Sequence, residues 1–437
     1  MSGVPPSIIW FRRDLRLGDH PALLAAAERG RDALALFVLD DALLGPAGPP
    51  RLAFLHGCLR ALDEQFGGRL TVLRGDPEEV VPRVAREIGA GSVHVSADFG
   101  PYGRERDEAV EKALSDVEFV RTGSPYAVAP GRITKSDGSP YRVFTPFSRA
   151  WAEHGWRAPA ATSVSTLDWM SLDGDDIPDP PECSARLPEP GERAALAAWE
   201  VFRDERLPDY ADQRNRPDLD RTSRMSPYLR WGCIHPRTML ADLGPRDTAY
   251  RNELAWREFY ADVLWHRPET ARANFNPRFD ALRHDTDAER FDAWRRGATG
   301  FPIVDAGMRQ LLAEGWMHNR VRMITASFLT KDLHLPWWLG ARHFMTHLVD
   351  GDLASNQHGW QWTAGSGTDA APYFRVFNPT SQGHKFDPDG AYIRRYVEEL
   401  RDHDGDVHEP RDAPGYPAPI VDHAEERRVA LDRYAEI

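Results

Sequence analysis

The chain has 437 residues, of which 41% are hydrophobic and 28% are charged, a composition typical of globular proteins with two or three domains. Its three cysteines, Cys58, Cys183 and Cys233, are too few and too widely spaced for a disulfide framework or a zinc site. Such cysteines suit a reducing compartment, so we expect a cytoplasmic protein. No stretch approaches ~18 consecutive apolar residues, and a membrane-spanning helix is therefore not expected.

The formal net charge of −13 does not exclude a nucleic-acid partner, because the acidic residues are unevenly distributed. The excess of acidic residues lies in two segments, 159–190 and 398–437. The segment 267–342 instead has twelve basic and nine acidic residues. A local basic face is compatible with this distribution, and the global charge does not decide the kind of partner.

The first 128 residues alternate short apolar runs with amphipathic stretches. Two of these stretches begin with a capping residue and a proline, at Asp19-His20-Pro21 and Asp76-Pro77, as helices do. Strands and helices in alternation predict a doubly wound parallel sheet, an α/β domain over 1–128. Neither a GxGxxG motif after the first strand nor a Walker lysine is present, so the sheet does not identify a ligand. The runs predicted as strands are 7–11, 33–39, 69–74, 92–97 and 117–121.

Residues 129–190 are predicted to be a linker, because their last part is rich in proline and acidic residues without periodicity. After Gly191 the pattern becomes helical, and strand signals disappear. We therefore predict an all-α domain over 191–437, which also holds most of the tryptophans. The predicted helices are 192–206, 224–242, 247–265, 302–314, 319–333, 340–349 and 390–401.

Five tryptophans lie between Gly315 and Asn378, among small, polar and charged residues. A packed core would use Leu, Ile and Val, which have no polar N–H that needs a partner. Aromatic residues interleaved with Asn, Asp and Arg are instead typical of the lining around a flat conjugated ligand or nucleobases.

Three groups of residues have both a structural and a functional interpretation. Tyr210 and the hydroxyl-rich segment 222–228 predict either a plain helix cap or a phosphate site to which Arg224 adds charge.

Glu253, Trp256, Arg257 and Tyr260 share one helix face. This face is either solvated, with an intrahelical ion pair, or a platform on which a base stacks.

Asp350 and Asp352 flank Gly351. They form either a helix-end turn or, with Arg322, an ion pair that accepts hydrogen bonds from a ribose or a flavin ring. Two carboxylates are too few for a calcium loop, and we expect no metal site. A hydrolase triad has no support, because no GxSxG motif is present.

The order and spacing of these motifs resemble those of the photolyase/cryptochrome family, most closely its class I cyclobutane pyrimidine dimer DNA photolyases. The opening segment WFRRDLRLGDHPAL also matches, so the resemblance covers nearly the full chain. The motifs that carry the resemblance are TSRMSPYL, NELAWREFY, GWMHNRVRMITASF, DGDLASNQHGWQW and GTDAAPYFRVFNP.

The resemblance implies an α/β antenna domain followed by a helical domain that holds FAD in a folded form. Asn356 matches the residue beside flavin N5, where an amide can present either its oxygen or its NH₂ group. The residues that match the positions around FAD are Tyr210, Thr222, Ser223, Arg224, Met225, Ser226, Asn319, Arg322, Asp350, Asp352 and Asn356.

The function implied is light-driven DNA repair, in which excited FADH⁻ gives an electron to a flipped-out pyrimidine dimer and recovers it after the ring opens. By the same resemblance, Glu253 hydrogen-bonds the 5′ base, Trp256 and Trp362 pack on the dimer, and Met323 borders it. DNA containing pyrimidine dimers is the expected partner, and a monomer is expected. The residues that match or adjoin DNA-facing positions are Arg214, Trp256, Arg257, Asn319, Arg320 and Arg375.

Subtype follows from two positions. His318-Asn319 has the single histidine of dimer photolyases, whereas (6-4) enzymes have a histidine pair. Asn356 is the photolyase residue, whereas plant and animal cryptochromes have Asp or Cys. The alternative interpretation is a cryptochrome-like blue-light photoreceptor without repair activity.

The antenna segment 101–107 is similar to that of members that bind 8-hydroxy-5-deazaflavin. It lacks the Asn-Glu pair of members that bind methenyltetrahydrofolate, so the deazaflavin is the expected antenna. Gly100 departs from the pattern, because deazaflavin binders tend to have a carboxylate there. A folate or no antenna at all remains the alternative.

The family relays electrons to FAD through three tryptophans, and Trp360 and Trp337 match the inner two. The outer position is His284. Imidazole is a much poorer one-electron donor than indole, so we expect either slower photoreduction or another outer donor, with Trp338 and Trp294 as candidates.

Overall fold

The computed structural model describes residues 4–372, 374–411 and 413–437, so Tyr373 of the last motif lies outside the described residues. The chain forms two compact units. The first comprises residues up to Cys183, Pro188–Glu205 and Ser223–Pro268. The second comprises Ser184–Leu187, Arg206–Thr222 and Glu269–Ile437.

The first unit contains a parallel sheet in the order β3-β2-β1-β4-β5, which confirms the predicted doubly wound α/β domain. The predicted runs coincide with β1–β5 to within two residues at each end. The sixth strand, β6, pairs with the first residues of β2. The strands are β1 Ser7–Phe11, β2 Asp32–Leu39, β3 Leu70–Arg74, β4 Ser92–Val95, β5 Glu118–Arg121 and β6 Asp168–Trp169.

Nineteen α-helices lie in the described part of the chain, and those after Gly191 confirm the helical second half. Numbered in chain order, they are α1 Pro21–Ala27, α2 Asp41–Leu44, α3 Pro49–Phe66, α4 Pro77–Ile88, α5 Pro101–Ala113, α6 Phe144–His154, α7 Glu192–Glu205, α8 Tyr210–Gln213, α9 Ser226–Trp231, α10 Pro236–Asp242, α11 Thr248–His266, α12 Ala288–Arg296, α13 Pro302–Glu314, α14 Asn319–Ser327, α15 Trp337–His347, α16 Leu353–Ala364, α17 Pro379–Phe386, α18 Ala391–Tyr396 and α19 His423–Ala435.

The two central strands, β1 and β2, are almost entirely buried because the sheet is covered on both faces. All five residues of β1 and seven of the eight in β2 are buried. A strand buried on both sides has a continuous apolar run rather than an alternating pattern. Between β1 and β4 the direction of the strand order reverses, and the carboxyl ends of strands at such a point form a crevice.

The predicted linker, 129–190, contains regular structure. Helix α6 packs on α11, and its Trp151 is fully buried. The compact units also divide the chain differently from the predicted boundaries, since α7, α9, α10 and α11 belong to the first unit. Helix α6 lies before the proline-rich part of the predicted linker, and burial of its apolar side chains accounts for the regular structure there.

The second unit is built around a cluster that includes Trp294, Trp337 and Trp360. The predicted helix 319–333 is α14 followed by a π-helix, Phe328–Asp332. Among the described residues, no helix is both long and apolar enough to span a lipid bilayer.

Gly340 on α15 allows α15 and α16 to approach closely. A Cβ at this position would overlap the six-membered ring of Trp360 and lie 2.6 Å from a methyl group of Leu329. Gly359, on α16 itself, has nothing within 4 Å of the corresponding point. Packing therefore requires a glycine at Gly340 but not at Gly359, and a substitution at Gly359 serves as a control for one at Gly340.

We expect Gly340→Ala to destabilise the protein by about 1–3 kcal/mol or more, because the added methyl group overpacks the core at Trp360. Gly359→Ala should leave stability unchanged or raise it by up to about 1 kcal/mol, since alanine favours a helix. Thermal unfolding followed by circular dichroism measures both variants. Equal melting temperatures for the two would contradict this account of the packing.

Candidate active site

The segment before α9 does not act as a simple helix cap. The N-cap residue of α9 is Met225, which has no side-chain cap hydrogen bond. The Ser223 hydroxyl instead accepts hydrogen bonds from the Met225 amide, 3.4 Å away, and from the Tyr250 hydroxyl at 2.9 Å. Arg224 has a left-handed backbone, with φ of +52°. The Thr222 hydroxyl is buried without a hydrogen-bond partner among the described residues, so this segment offers polar groups beyond those that the fold uses.

Helix α14 and the turn before α16 are joined by an ion pair. The Arg322 guanidinium donates to Asp350 Oδ2 at 2.8 Å and to the Met317 carbonyl at 2.7 Å. The Asp350 side chain is only 3% exposed. Its other oxygen, Oδ1, is buried without a hydrogen-bond partner in the described part of the chain and is thus an acceptor that a ligand hydroxyl or N–H group could satisfy.

Asp352 forms the helix-end structure that its position suggests. It is the N-cap of α16, and its carboxylate accepts from the Ser355 amide at 3.1 Å. One carboxylate oxygen is therefore used to satisfy the first turn of α16.

The amide of Asn356 is held in one orientation. Its NH₂ group donates to the Ala341 carbonyl at 3.0 Å and to Gln357 Oε1 at 2.9 Å. The Gln357 amide is itself fixed, because its NH₂ group donates to the Ala271 carbonyl at 2.6 Å. Backbone carbonyls can only accept, so neither amide can be flipped without losing these bonds. The Asn356 oxygen is consequently the atom left for an external partner.

Asn319 and Met323 lie one turn apart on α14. The Asn319 side chain is exposed, and its Nδ2 is 4.0 Å from the Met323 sulfur. His318 caps this helix, since its ring nitrogen Nδ1 accepts from the Arg320 amide at 3.1 Å. The pair His318-Asn319 therefore combines a structural cap with an exposed polar side chain.

The predicted relay residues of the second unit have different surroundings. The Trp337 N–H donates to Asn274 Oδ1 at 2.9 Å, and the buried Trp360 N–H has no acceptor among the described residues. Trp294 is fully buried, with its ring centroid 6.0 Å from that of Trp360. These contacts place Trp360 and Trp294 in one aromatic cluster.

Trp338 lies at the surface and contacts both Trp337 and His284. Its ring centroid is 6.0 Å from that of Trp337 and 5.3 Å from that of His284. It is 38% exposed. Burial lowers the pKa of His284, and the charge of Arg433 acts in the same direction, whereas a hydrogen bond with the His334 backbone opposes the shift.

In the first unit, the indole of Trp256 on α11 stacks on Phe144 of α6. The ring centroids are 3.7 Å apart and the planes differ by 6°. One face of Trp256 is therefore occupied, and a base could stack only on the other face. Glu253 lies one turn earlier on the same side of α11 and is partly buried.

Arg257 has a structural environment that the sequence did not indicate. Its guanidinium donates to the carbonyls of Pro125 and Leu229, at 2.9 and 3.1 Å, and lies over the Tyr126 ring. These bonds hold the side chain against its own unit. A direct role in DNA binding stays a prediction for this residue.

Three other predicted DNA-facing arginines come together in the second unit. Arg320 donates to Asn215 Oδ1 at 2.8 Å, and burial, followed by the charges of Arg214 and Arg375, lowers its pKa. Arg375 is exposed. We call Arg214, Arg320 and Arg375 the arginine cluster. Like charges repel, so an anionic partner is the natural counterpart of such a group.

A second candidate site lies at the carboxyl ends of β1 and β4, where sequence patterns alone did not predict charged partners. Arg12 follows β1 and pairs with Asp107 at 2.9 Å, and Arg106 pairs with Asp98 at 3.4 Å. Tyr102, on α5, donates to Asp40 after β2. Polar residues directly after buried strands are the signal that could have identified this edge.

The residues around α14 and α16 fit a flavin nucleotide. Asp350 Oδ1 and the Asn356 oxygen are acceptors for N–H or hydroxyl groups, and Arg322 balances the buried negative charge. Tyr210 is buried at the start of α8, and the Arg214 guanidinium lies 5.8 Å from the centroid of its ring. The set contains donors, acceptors and flat aromatic surfaces, which is what a conjugated ring with a phosphate-bearing tail requires.

Comparison with known proteins identifies the family to which both parts of the chain are similar. The family model for the FAD binding domain of DNA photolyase matches residues 250–436, and the DNA photolyase model matches residues 7–164. A deoxyribodipyrimidine photo-lyase from a Synechococcus strain is 40% identical, with 96% of this chain and 94% of that protein covered.

Two solved structures extend the comparison. A class III photolyase from Agrobacterium tumefaciens has a TM-score of 0.91 and 38% identity, covering 100% of this chain and 98% of its own. The cryptochrome of Synechocystis sp. PCC6803 has a TM-score of 0.89 and 28% identity, covering 99% and 100%. The predicted family is thereby confirmed, and the chain belongs to the DNA photolyase family.

Proposed function

We propose that the protein splits cyclobutane pyrimidine dimers in DNA, using light and bound FAD. The observation that carries the proposal is the fixed orientation of Asn356, whose NH₂ group is bound to Ala341 and Gln357. The class of photolyase stays a prediction, because a class III structure and a cryptochrome are both similar to the chain.

FAD is held, in this proposal, by the residues that match the family's cofactor positions. Asp350 offers a buried oxygen, Arg322 supplies a positive charge, and Thr222 offers a buried hydroxyl. Ser223, Arg224, Met225 and Ser226 follow Thr222 and are assigned to the phosphates. When bound and reduced, FAD supplies the electron that opens the cyclobutane ring and takes it back afterwards.

Asn356 is assigned to flavin N5 by the family resemblance. Since its N–H groups are engaged, the atom that it offers there is an oxygen, which accepts a hydrogen bond. An acceptor favours N5 when N5 carries a proton, as it does in the reduced flavin. The orientation of one amide thus favours the redox form that repair requires.

DNA is held, in this proposal, by the arginine cluster together with the polar tip of Asn319. Each cation near a phosphate releases counterions, so binding should weaken as salt rises. The assignments of Glu253, Trp256, Met323 and Trp362 to the dimer stay predictions from the family resemblance.

The repair proposal predicts that the reduced protein restores intact thymines in a dimer-containing oligonucleotide under blue light. Recovery of absorbance at the thymine band and chromatographic separation of the products measure the reaction. FAD bound at stoichiometric level with no restoration of thymines would eliminate repair and leave the blue-light photoreceptor as the function. His284 at the outer relay position is the observation that favours this second candidate.

Asn356→Asp should slow repair by about tenfold, which corresponds to ~1.4 kcal/mol, because a carboxylate loses both N–H bonds and adds negative charge. The fraction of bound flavin that stays reduced in air should fall with it, as measured by absorption. Asn276→Asp is the matched control. Asn276 is the exposed N-cap residue of the short 3-10 helix Pro277–Ala281, a position where aspartate caps equally well. If both variants behaved alike, the assigned role of Asn356 would be wrong.

Photoreduction is proposed to run from Trp338 through Trp337 to Trp360. A terminal donor benefits from contact with water, which can take up the proton that an oxidised indole releases. Trp338 is exposed whereas Trp294 is fully buried, and this difference favours Trp338 as the outer donor.

We expect Trp338→Phe to lower the yield of photoreduced flavin by about tenfold, because phenylalanine is far harder to oxidise than tryptophan. His284→Phe, its neighbour, is the control and should change the yield little. Illumination of the oxidised protein with an external reductant, followed by absorption, gives both yields. His284→Trp should raise the yield or the lifetime of the reduced flavin. A large loss of yield in His284→Phe with little loss in Trp338→Phe would exclude Trp338 as the outer donor.

An antenna chromophore is proposed to bind at the carboxyl ends of β1 and β4, with 8-hydroxy-5-deazaflavin as the expected compound. Tyr102, Arg106 and Asp98 provide the polar groups there. Mixing the purified protein with this deazaflavin should give a complex that survives gel filtration, visible in its absorption spectrum. A native protein that carries a folate spectrum would overturn the assignment.

A further inference from the structure

Two histidines and one aspartate of the second unit come together away from the candidate active site. His384 lies on α17, and Asp406 and His408 lie in the segment after the short 3-10 helix Glu398–Leu400. One ligand atom from each of the three lies within 4.8 Å of the others. His384 Nε2 is 3.5 Å from Asp406 Oδ2, and the two histidine rings are 4.3 Å apart between centroids.

His408 is the informative member of this group. It is only 4% exposed, and neither of its ring nitrogens has a hydrogen-bond partner among the described residues. The backbone of Asp387 and Pro388 lies close enough to the ring to raise its pKa against the larger effect of burial, but it forms no hydrogen bond of normal geometry with either ring nitrogen. A buried polar group without a partner destabilises the folded state, so a ligand for this imidazole would remove a penalty that the fold otherwise carries.

The backbone around His408 leaves little freedom for its ring. A Cβ on Gly383, the residue before His384, would lie 2.6 Å from His408 Nδ1. The glycine therefore lets α17 approach the imidazole closely. His408 is fixed, whereas the side chains of His384 and Asp406 are 49% and 48% exposed and can adjust.

Two imidazoles and a carboxylate are the ligand types that divalent transition metals bind, above all Zn²⁺. Ligand atoms around one tetrahedral zinc are about 3.4 Å apart, given metal–ligand distances of about 2.1 Å. The ligand atoms lie within 4.8 Å of one another, and the half-exposed side chains of His384 and Asp406 can move them to the closer spacing that zinc requires. A water molecule would complete the four-coordinate site.

We propose that His384, Asp406 and His408 bind one divalent transition-metal ion, with Zn²⁺ favoured, and that the ion fastens α17 to the segment around His408. Helix α17 also carries Phe386, whose ring lies 4.5 Å below the guanidinium of Arg320. By holding α17 in place, the metal ion also keeps the Phe386 ring against Arg320 of the arginine cluster. The proposal does not depend on the repair reaction.

The test uses untagged full-length protein that has been treated with a chelator and titrated with Zn²⁺ by calorimetry. The wild type should bind one equivalent, and its melting temperature should rise with Zn²⁺. His384→Ala and Asp406→Asn should each weaken binding by at least about tenfold and lose the thermal shift. Co²⁺ in place of Zn²⁺ should give the visible absorption of a tetrahedral nitrogen–oxygen site in the wild type alone.

His154→Ala is the matched control, because it removes an exposed histidine of the first unit and keeps the histidine count equal to that of His384→Ala. It should bind Zn²⁺ as the wild type does. Binding that is absent in the wild type, or unchanged in His384→Ala and Asp406→Asn, would overturn the proposal. In that case His384 and Asp406 form a surface ion pair only.

Discussion

The buried ion pair between Arg322 and Asp350 determines the arrangement of the candidate active site in the second unit. A carboxylate that is 3% exposed is stable only with a charge partner, since leaving it unpaired costs several kcal/mol. The pair therefore fixes α14 against the turn that starts α16. Asn319 and Met323 lie on the first helix and Asn356 on the second, so this pair contributes to the positions of all three.

Stability and function compete in the arginine cluster. Burial, and after it the positive charges of Arg214 and Arg375, lower the pKa of Arg320, so its charged form is disfavoured in the free protein. A hydrogen bond to Asn215 and the ring of Phe386 offset part of this cost. An anion that lies across these arginines would offset this cost, which supports the proposed binding of DNA by the cluster.

The fold was largely predictable, because its elements rest on local patterns. Largely apolar runs predicted β1–β5, and a proline after a polar residue predicted the starts of α1 and α4, although only α4 has a side-chain cap hydrogen bond, from Asp76. Helix α16 was missed, although it carries Asn356, Trp360 and Trp362. Its polar residues and Gly359 break the apolar periodicity, and its burial comes from tertiary packing against α15.

The motifs predicted which residues belong to the candidate site but not how those residues are arranged in space. The sequence could suggest the pair of Arg322 with Asp350, but not the convergence of the three arginines, which lie far apart along the chain and meet only after folding. Arg257 shows the opposite case. Its position on the face of Glu253 and Trp256 suggested an exposed cation, yet two backbone carbonyls hold it, and such contacts leave no pattern in a sequence.

The short strand β6 has a consequence for the sheet as a whole. Strand β3 begins to pair with β2 only at Ala35, whereas β6 pairs with Asp32 and Ala33. Without β6, the first residues of β2 would present unpaired N–H and C=O groups, the kind of edge that recruits strands of other molecules. A segment whose composition resembles that of a linker thus covers the start of β2 against pairing with strands of other molecules.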